Sequence, residues 1–335
     1  MEGVDFMQDI YRALVLDVVN GQSNMQIQER SIADLPEGEV TIRVAYSSVN
    51  FKDGMATLPN RIIRKYPMVP GIDLAGIVIA STDERYQVGD QVIATSYEIG
   101  VSHPGGFSEI ARVPAKWVVP LPDGLTMKEA MILGTAGFTA ALSIIRLEEN
   151  GLSKEQGPVL VTGSTGGVGS VAVDILAKNG YEVTASTGKE SEHAYLKELG
   201  ATTILHRNEV VAVDDKPMRQ QLWAGAVDPV GGKTLEYLLS TMKYGGSVAL
   251  SGLTGGTDVS TSVYPFILRG VNLLGIDSVY CPMNQRKMVW ERLASDMKPN
   301  HLTDQMVKEI TLEELPKTLS QILEGQIRGR TIVKL

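Results

Sequence analysis

The sequence predicts an α/β protein that combines a β-rich domain with a doubly wound parallel sheet. Three observations predict it. Residues 159–189 read as strand, glycine loop, helix and strand. Near Thr126 the chain changes from β-rich segments to alternating helix and strand. The elements after Cys281 are too few to fold alone and must return to the first domain. At 335 residues the chain can hold two domains with sizeable cores.

The first domain reads as a compact β-structure. Ala13-Leu14-Val15-Leu16, Val40-Thr41-Ile42-Arg43-Val44 and Ile77-Val78-Ile79 are strand-like, with turns at Pro36-Glu37-Gly38 and Val88-Gly89-Asp90. Thr126-Met127-Lys128-Glu129 is a capping box and opens a helix to Leu147, interrupted at Gly134 and Gly137. Further strands are expected at Val159–Thr162, Tyr181–Ser186, Thr202–Leu205, Gly225–Asp228, Ser247–Ser251 and Val271–Ile276. Helices fall between most of them. The last strand would sit at a sheet edge, where pairing with a second copy removes an aggregation liability and gives a homodimer. After Cys281, helices at Asn284–Met297 and Leu312–Leu323 are expected, with strands at Val307–Ile310 and Thr331–Leu335.

Val159-Leu160-Val161-Thr162-Gly163-Ser164-Thr165-Gly166-Gly167-Val168-Gly169 carries the chemistry. Glycines let backbone approach a ligand, and the following helix N-terminus offers unpaired N–H groups to an anion such as a pyrophosphate. The strand before, the helix after and the second strand distinguish this from a plain turn. An NAD site usually ends its second strand in Asp or Glu; here Ser186, Thr187, Gly188 and Lys189 precede any carboxylate. Hydroxyls and an ammonium suit a 2′-phosphate, so NADPH is the expected cofactor. Gly232-Lys233-Thr234 mimics the end of a Walker A loop, but Val227 stands where that pattern needs glycine.

Composition narrows the partners. A net charge of −8 argues against general nucleic-acid binding. The acidic start Met1-Glu2-Gly3-Val4-Asp5 lacks the basic region of a signal peptide, and no stretch approaches about 18 apolar residues. The single cysteine, Cys281, excludes an intramolecular disulfide and fits a reducing cytoplasm. The expectation is a cytoplasmic protein acting on a small molecule, with neither nucleic-acid nor membrane partners.

Several motifs resemble those of the medium-chain dehydrogenase/reductase superfamily: Asn50-Phe51-Lys52-Asp53, Pro70-Gly71-Ile72-Asp73-Leu74-Ala75-Gly76, Val88-Gly89-Asp90-Gln91-Val92 and Gly134-Thr135-Ala136-Gly137-Phe138-Thr139-Ala140. Arg61-Ile62-Ile63-Arg64, Trp223-Ala224-Gly225-Ala226-Val227-Asp228, Tyr264-Pro265-Phe266-Ile267-Leu268-Arg269 and Gly275-Ile276-Asp277-Ser278-Val279 resemble its zinc-free, quinone oxidoreductase-like branch, and within it the acrylyl-CoA reductase subgroup. The resemblance runs from about Ala13 to Leu335. It implies a GroES-like catalytic domain (1–126, completed by 280–335) and a Rossmann NADPH-binding domain (127–279). It also implies cofactor contacts at Phe51, Thr139, Ser164, Thr165, Gly166, Gly167, Val168, Thr187, Gly188, Lys189, Arg207, Leu253, Ile267 and Ser278.

The zinc-dependent members need an early Cys, a His-Glu pair after the Pro-Gly, and a later Cys. Here Ile72-Asp73 follow Pro70-Gly71, and His103, His193, His206 and His301 lack ligand spacing, so no metal is expected. An activated alkene or a quinone accepts hydride without one. The expected reaction is hydride transfer to the β-carbon of an α,β-unsaturated acyl-CoA, with protonation at the α-carbon. Asn50 and Asp53 are the catalytic candidates, the amide as a donor to the thioester oxygen and the carboxyl as an orienting or proton-relay group. The plainer alternative is that both shape a turn. Arg61, Arg64 and Lys65 form a basic cluster suited to coenzyme A phosphates, with Arg64, in the family-like Arg61-Ile62-Ile63-Arg64, the candidate site residue among them; a solvated face is the alternative. Tyr66, followed by Pro67, reads as a packing residue. Two other functions remain: an NADPH:quinone oxidoreductase, and a non-catalytic NADPH-binding or sensing protein.

Overall fold

The computed structural model describes residues 10–214, 216–302 and 306–335. It divides into two compact units. The first holds the chain up to Thr135, Val279–Lys287 and Val307–Leu335; the second holds Ala136–Ser278 and Met288–Met306.

The first unit opens with an antiparallel hairpin, β1 (Ile10–Val19) and β2 (Gln22–Ser31), turned by Asn20 and Gly21 at φ 52° and 77°. Two consecutive positive φ values make the turn whose twist matches paired strands. β3 (Val40–Val49) leads through Asn50 into the short helix α1 (Phe51–Ala56). There follow β4 (Asp73–Ser81), β5 (Gln91–Thr95), β6 (Ile110–Val113) and β7 (Val118–Pro120). Alternating apolar residues of these strands, among them Ile42, Leu74, Val92 and Val113, bury completely and form the core with Trp117.

The capping box forms as expected: Glu129 N donates to Thr126 Oγ1 at 3.1 Å, and Thr126 N donates to Glu129 Oε2 at 2.8 Å. The helix α2 (Met127–Glu149) carries the chain from the first unit to the second. Of the two expected interruptions only Gly134 leaves helical geometry, at φ 52° and ψ −156°, whereas Gly137 continues the helix. The structure also corrects the reading that no stretch has membrane-spanning length: α2 is long and apolar enough, but 89% of its apolar window is buried inside the protein, as in a core helix.

The second unit continues with β8 (Val159–Val161), α3 (Gly167–Lys178), β9 (Val183–Thr187), α4 (His193–Glu198) and β10 (Thr203–His206). Next come β11 (Trp223–Asp228), α5 (Gly232–Thr241), β12 (Met242–Leu250), α6 (Tyr264–Arg269) and β13 (Asn272–Gly275). The six strands are parallel, in the order β10-β9-β8-β11-β12-β13. Chain direction across the sheet therefore reverses between β8 and β11, which is where an open parallel sheet binds its ligand, at the carboxyl ends of the strands.

The helix α7 (Met283–Leu293) ends before the expected Met297, and residues 288–306 join the second unit. They do so because Trp290 packs on Phe138 at 6.0 Å, Arg292 pairs with Glu148 at 3.1 Å, and the N–H groups of Asn300 and His301 bind the buried Asp174. Residues 279–287 stay with the first unit. There the fully buried Arg286 donates to Thr95 Oγ1 at 3.0 Å and to Val279 O at 3.1 Å, and lies over the Tyr97 ring at 4.4 Å. The last elements are β14 (Val307–Ile310), α8 (Leu315–Leu323) and β15 (Arg330–Lys334). They complete a sheet ordered β14-β15-β3-β4-β5-β7, with β6 on β3. Thr331 pairs with Val49, and this register brings Arg330 to the end of β3.

Candidate active site

In the second unit, the loop between β8 and α3 has the features of an anion site. Among the described residues, the N–H groups of Gly167, Val168 and Gly169 have no hydrogen-bond partner, since the first bond of α3 runs from Ser170 N to Gly166 O at 2.9 Å. A Cβ on Gly169 would sit 2.4 Å from Gly163 O, so the helix can start this close to the strand only with glycine there. Ser164 is fully buried and turned inward: its hydroxyl donates to Val161 O at 2.7 Å and accepts from Ser186 N at 2.9 Å. Its side chain ties the ends of β8 and β9 together, and its N–H donates to Ser186 O at 3.1 Å, so Ser164 shapes the loop and leaves anion donation to Gly167, Val168 and Gly169. Thr165 is buried as well.

The second strand of the unit ends beside a cationic rim. Thr187 pairs with His206, so Arg207 follows β10 at the level where Gly188 and Lys189 follow β9. Thr187 Oγ1 accepts from Lys189 N at 3.1 Å. Partial burial lowers the Lys189 pKa, opposed by nearby Glu192. Arg207 and Gly188 are exposed. Two cations and no carboxylate at the strand end fit the 2′-phosphate of NADPH. Thr139 and Ser278 are buried in this unit, while Leu253 and Ile267 are 56% and 68% exposed. Ile267 lies on α6 with Tyr264 and Leu268, just after Val263 at its N-terminus, all exposed. Gly232-Lys233-Thr234 begins α5, and Lys233 Nζ is tied to Glu236 at 2.8 Å, away from any phosphate role.

In the first unit, a closed ring of hydrogen bonds surrounds Asn50. Arg330 Nη2 donates to Ser48 Oγ at 3.1 Å, and Ser48 Oγ donates to Asp73 Oδ2 at 2.6 Å. Asn50 Nδ2 donates to the same oxygen at 2.8 Å, and Asn50 Oδ1 accepts from Arg330 Nη1 at 3.3 Å. Arginine only donates and a carboxylate only accepts, so the network assigns the Asn50 amide orientation. Thr135 adds two bonds to Asp73, from its N at 2.8 Å and its hydroxyl at 2.5 Å. With that hydrogen committed, Ser96 must donate to Thr135 Oγ1 across their 2.9 Å contact. Ser96 and Tyr97 hold φ 65° and 47°, an uncommon pair of values for residues with side chains.

The kink at Gly134 belongs to this ring. A Cβ there would meet Ser48 Oγ at 2.5 Å, Asp73 Oδ2 at 2.6 Å and Arg330 Nη2 at 2.9 Å. Glycine lets α2 break against the ring and present the Thr135 N–H to Asp73.

Of the roles expected of Asp53, orienting a neighbour is the one its hydrogen bonds match. It is fully buried, accepting from Asn50 N at 2.8 Å and Ile72 N at 3.0 Å, and so caps α1 and holds the loop before β4. Burial, and then the charge of Asp73, push its pKa up to about 7 against those two N–H bonds. Its bonds tie it to Asn50 and to the loop before β4. Arg64 does not join either residue; Arg61, Arg64 and Lys65 are exposed on the loop after α1. Phe51, 37% exposed, starts α1. Tyr66 packs, its hydroxyl accepting from Asn60 N at 3.2 Å and donating to Ile63 O at 3.0 Å.

The model of the alcohol dehydrogenase GroES-like domain matches residues 36–123, and that of the zinc-binding dehydrogenases matches residues 167–295. The chain is 50% identical over 327 residues to the acrylyl-CoA reductase AcuI of Ruegeria pomeroyi, covering 97% of this chain and 99% of that one. The chain belongs to the medium-chain dehydrogenase/reductase superfamily. Within that superfamily it falls in the quinone oxidoreductase-like branch that includes the acrylyl-CoA reductases, and it is an oxidoreductase. It is also 55% identical over 330 residues to a Bacillus subtilis protein named "Putative quinone oxidoreductase YhfP", covering 98% of this chain and all of that one. A crystal structure of that yhfP protein with NAD bound superposes with a TM-score of 0.95, covering 97% and 99% of the two chains. The yhdH oxidoreductase from Salmonella enterica in complex with NADP is 47% identical, with a TM-score of 0.94 and the same coverage.

The zinc of the dehydrogenase relatives does not fit this member of the superfamily. Asp73, after Pro70-Gly71, has its carboxylate taken up by Ser48, Asn50 and Thr135 and faces a guanidinium network in place of a metal. No group of three His, Cys, Asp or Glu side chains suited to a metal occurs among the described residues.

Proposed function

We propose that the protein reduces the C=C bond of an α,β-unsaturated acyl-CoA of the acrylyl-CoA type, using NADPH and no metal. The supporting observation is an amide donor fixed at Asn50 by a buried ring, in a chain half identical to a named acrylyl-CoA reductase. The backbone N–H groups of Gly167 and Val168 would hold the pyrophosphate, and Thr187, Gly188, Lys189 and Arg207 the 2′-phosphate. Held by these residues, NADPH would supply the hydride for the β-carbon.

The chain's own task is to stabilise the charge that reduction places on the thioester oxygen. Asn50 Nδ2 carries two hydrogens; one goes to Asp73, and the amide also interacts with the Asp53 carboxyl, the contact an incoming thioester oxygen would share. A donor aimed where charge develops lowers the barrier, and losing one typically costs about 2.7–4 kcal/mol. Asp53 holds the start of α1, and thereby Asn50, in register. Arg61, Arg64 and Lys65 are exposed on their loop, where coenzyme A phosphates could meet them. Cofactor choice follows Lys189 and Arg207: the yhfP structure holds NAD, but the NADP complex of the yhdH relative and a strand end without a carboxylate support NADPH here.

The edge position of β13, with the exposed apolar residues of α6 beside it, supports a homodimer through residues 271–276. A cytoplasmic setting agrees with the single cysteine. The quinone reading is favoured by the name of the 55% identical relative. Following NADPH absorbance with acrylyl-CoA, with a benzoquinone and with neither separates the functions. Loss of absorbance chiefly with acrylyl-CoA supports the proposal; oxidation only with the quinone, or with neither, rejects it.

A further inference from the structure

We propose that Arg330 is a positioning residue for the reaction: it fixes the Asn50 amide so that the second Nδ2–H is held toward the thioester oxygen. The inference rests on Asn50 being the donor to that oxygen.

Asp73 alone grips the amide at one point, Nδ2, and leaves it free to swing about its terminal torsion. The second grip, from Arg330 Nη1 to Asn50 Oδ1, fixes the plane. Arg330 can do this because it is itself immobilised. Its Nε donates to Ile132 O at 2.7 Å, Nη1 also reaches Val49 O at 3.3 Å, Nη2 binds Ser48, and the side chain is 2% exposed. No lysine could bridge Ser48, Val49, Asn50 and Ile132 at once, since the planar fork is what spans them.

Charge is the second contribution. A guanidinium on Oδ1 polarises the amide and strengthens its N–H donors, an effect that buried networks preserve. It also offsets Asp73, so that a carboxylate hydrogen-bonded to the donor does not oppose a developing oxyanion. Arg330 is itself buried, so both effects are exerted through its bond to Asn50.

A double-mutant cycle tests this. Asn50→Ala, Arg330→Met and the double variant are assayed for kcat with acrylyl-CoA, alongside the NADPH dissociation constant and the unfolding midpoint. Asn50→Ala is expected to lower kcat by about 10²-fold or more, the scale of a lost oxyanion donor. Arg330→Met should lower it by a similar factor with NADPH affinity unchanged, and the double variant should be no slower than Asn50→Ala within about threefold. Multiplying losses overturn the positioning role. Should Arg330→Met fail to fold, Arg330→Lys keeps the charge and loses the fork; it is expected to lower kcat with Asn50 present and to cost nothing further beside Asn50→Ala. Equal losses from Arg330→Lys in both backgrounds, or no loss in either, also overturn it. Full activity in Asn50→Ala would defeat the donor reading itself, and the inference with it.

Discussion

Arg207 lies against Gly188 so closely that a Cβ on the glycine would come within 2.6 Å of the guanidinium Nε. The contact follows from strand register, because Thr187 and His206 are partners on β9 and β10. Arg207→Ala and Lys189→Ala should each weaken NADPH by roughly tenfold to a hundredfold, the range of about 1.5–3 kcal/mol for a hydrogen bond to a charged group. NADH, lacking the phosphate, should lose far less. Titration of both cofactors into each variant checks this, and equal losses would refute the phosphate assignment.

Gly188→Ala is a subtler variant. The Cβ meets the movable end of a side chain, so Arg207 should swing aside and the fold should persist. NADPH affinity is expected to fall toward that of Arg207→Ala, with the unfolding midpoint unchanged. A fall in the midpoint with cofactor affinity intact would show that the contact serves packing alone.

Gly134→Ala should act on stability. The position combines φ 52° with close approaches to Ser48, Asp73 and Arg330. A left-handed residue costs about 1–2 kcal/mol and overpacking about 1–3 kcal/mol more. Urea unfolding should therefore show a loss of roughly 2–5 kcal/mol, against little change for Gly137→Ala in the regular part of α2.

What could be read from the sequence was local. The strand–loop–helix at 159–178, the capping box at Thr126 and the cation after β9 are set by neighbours along the chain. The ring around Asn50 was not, because its members lie far apart: Arg330 is 280 residues from Asn50, and Thr135 is 62 from Asp73. An arginine opening the apolar run Thr331-Ile332-Val333 was the available signal, since a cation there must find buried partners. Asp53 shows the limit in the other direction. Its place in the family motif left an orienting, a relay and a turn-shaping role open, and only the buried bonds to Asn50 and Ile72, met in space, single out the brace. The return of residues 288–306 to the second unit was hidden for the same reason, resting on Trp290, Arg292 and Asp174, which meet only in space.

Asp53 also predicts a pH dependence. Its carboxyl is raised from 3.8 to about 7 in the folded chain. The folded state therefore binds a proton that the unfolded state has released across that window. The contribution is fully present below pH 4 and is lost as pH rises through 7, with a slope of at most about 1.4 kcal/mol per pH unit. Comparing urea midpoints at pH 5 and pH 7 should show the decline in the parent and a flatter profile in Asp53→Asn. That variant starts from lower stability, since its side chain keeps one acceptor for two backbone N–H groups.

The exposed cations after α1 predict a difference between acceptors. Replacing Arg61, Arg64 and Lys65 together by alanine should raise KM for acrylyl-CoA, each exposed charge contributing up to about fivefold. KM for a benzoquinone, which has no phosphates, should stay the same. Steady-state kinetics with both acceptors decide it, and equal changes would remove the loop from acyl-CoA recognition.

The most direct test of the central claim follows the hydride itself. With NADPH deuterated at the transferring position of C4 and acrylyl-CoA as acceptor, mass spectrometry should find one deuterium at C3 of the propionyl-CoA product and a solvent-derived hydrogen at C2. No propionyl-CoA, or product without deuterium at C3, would contradict the account.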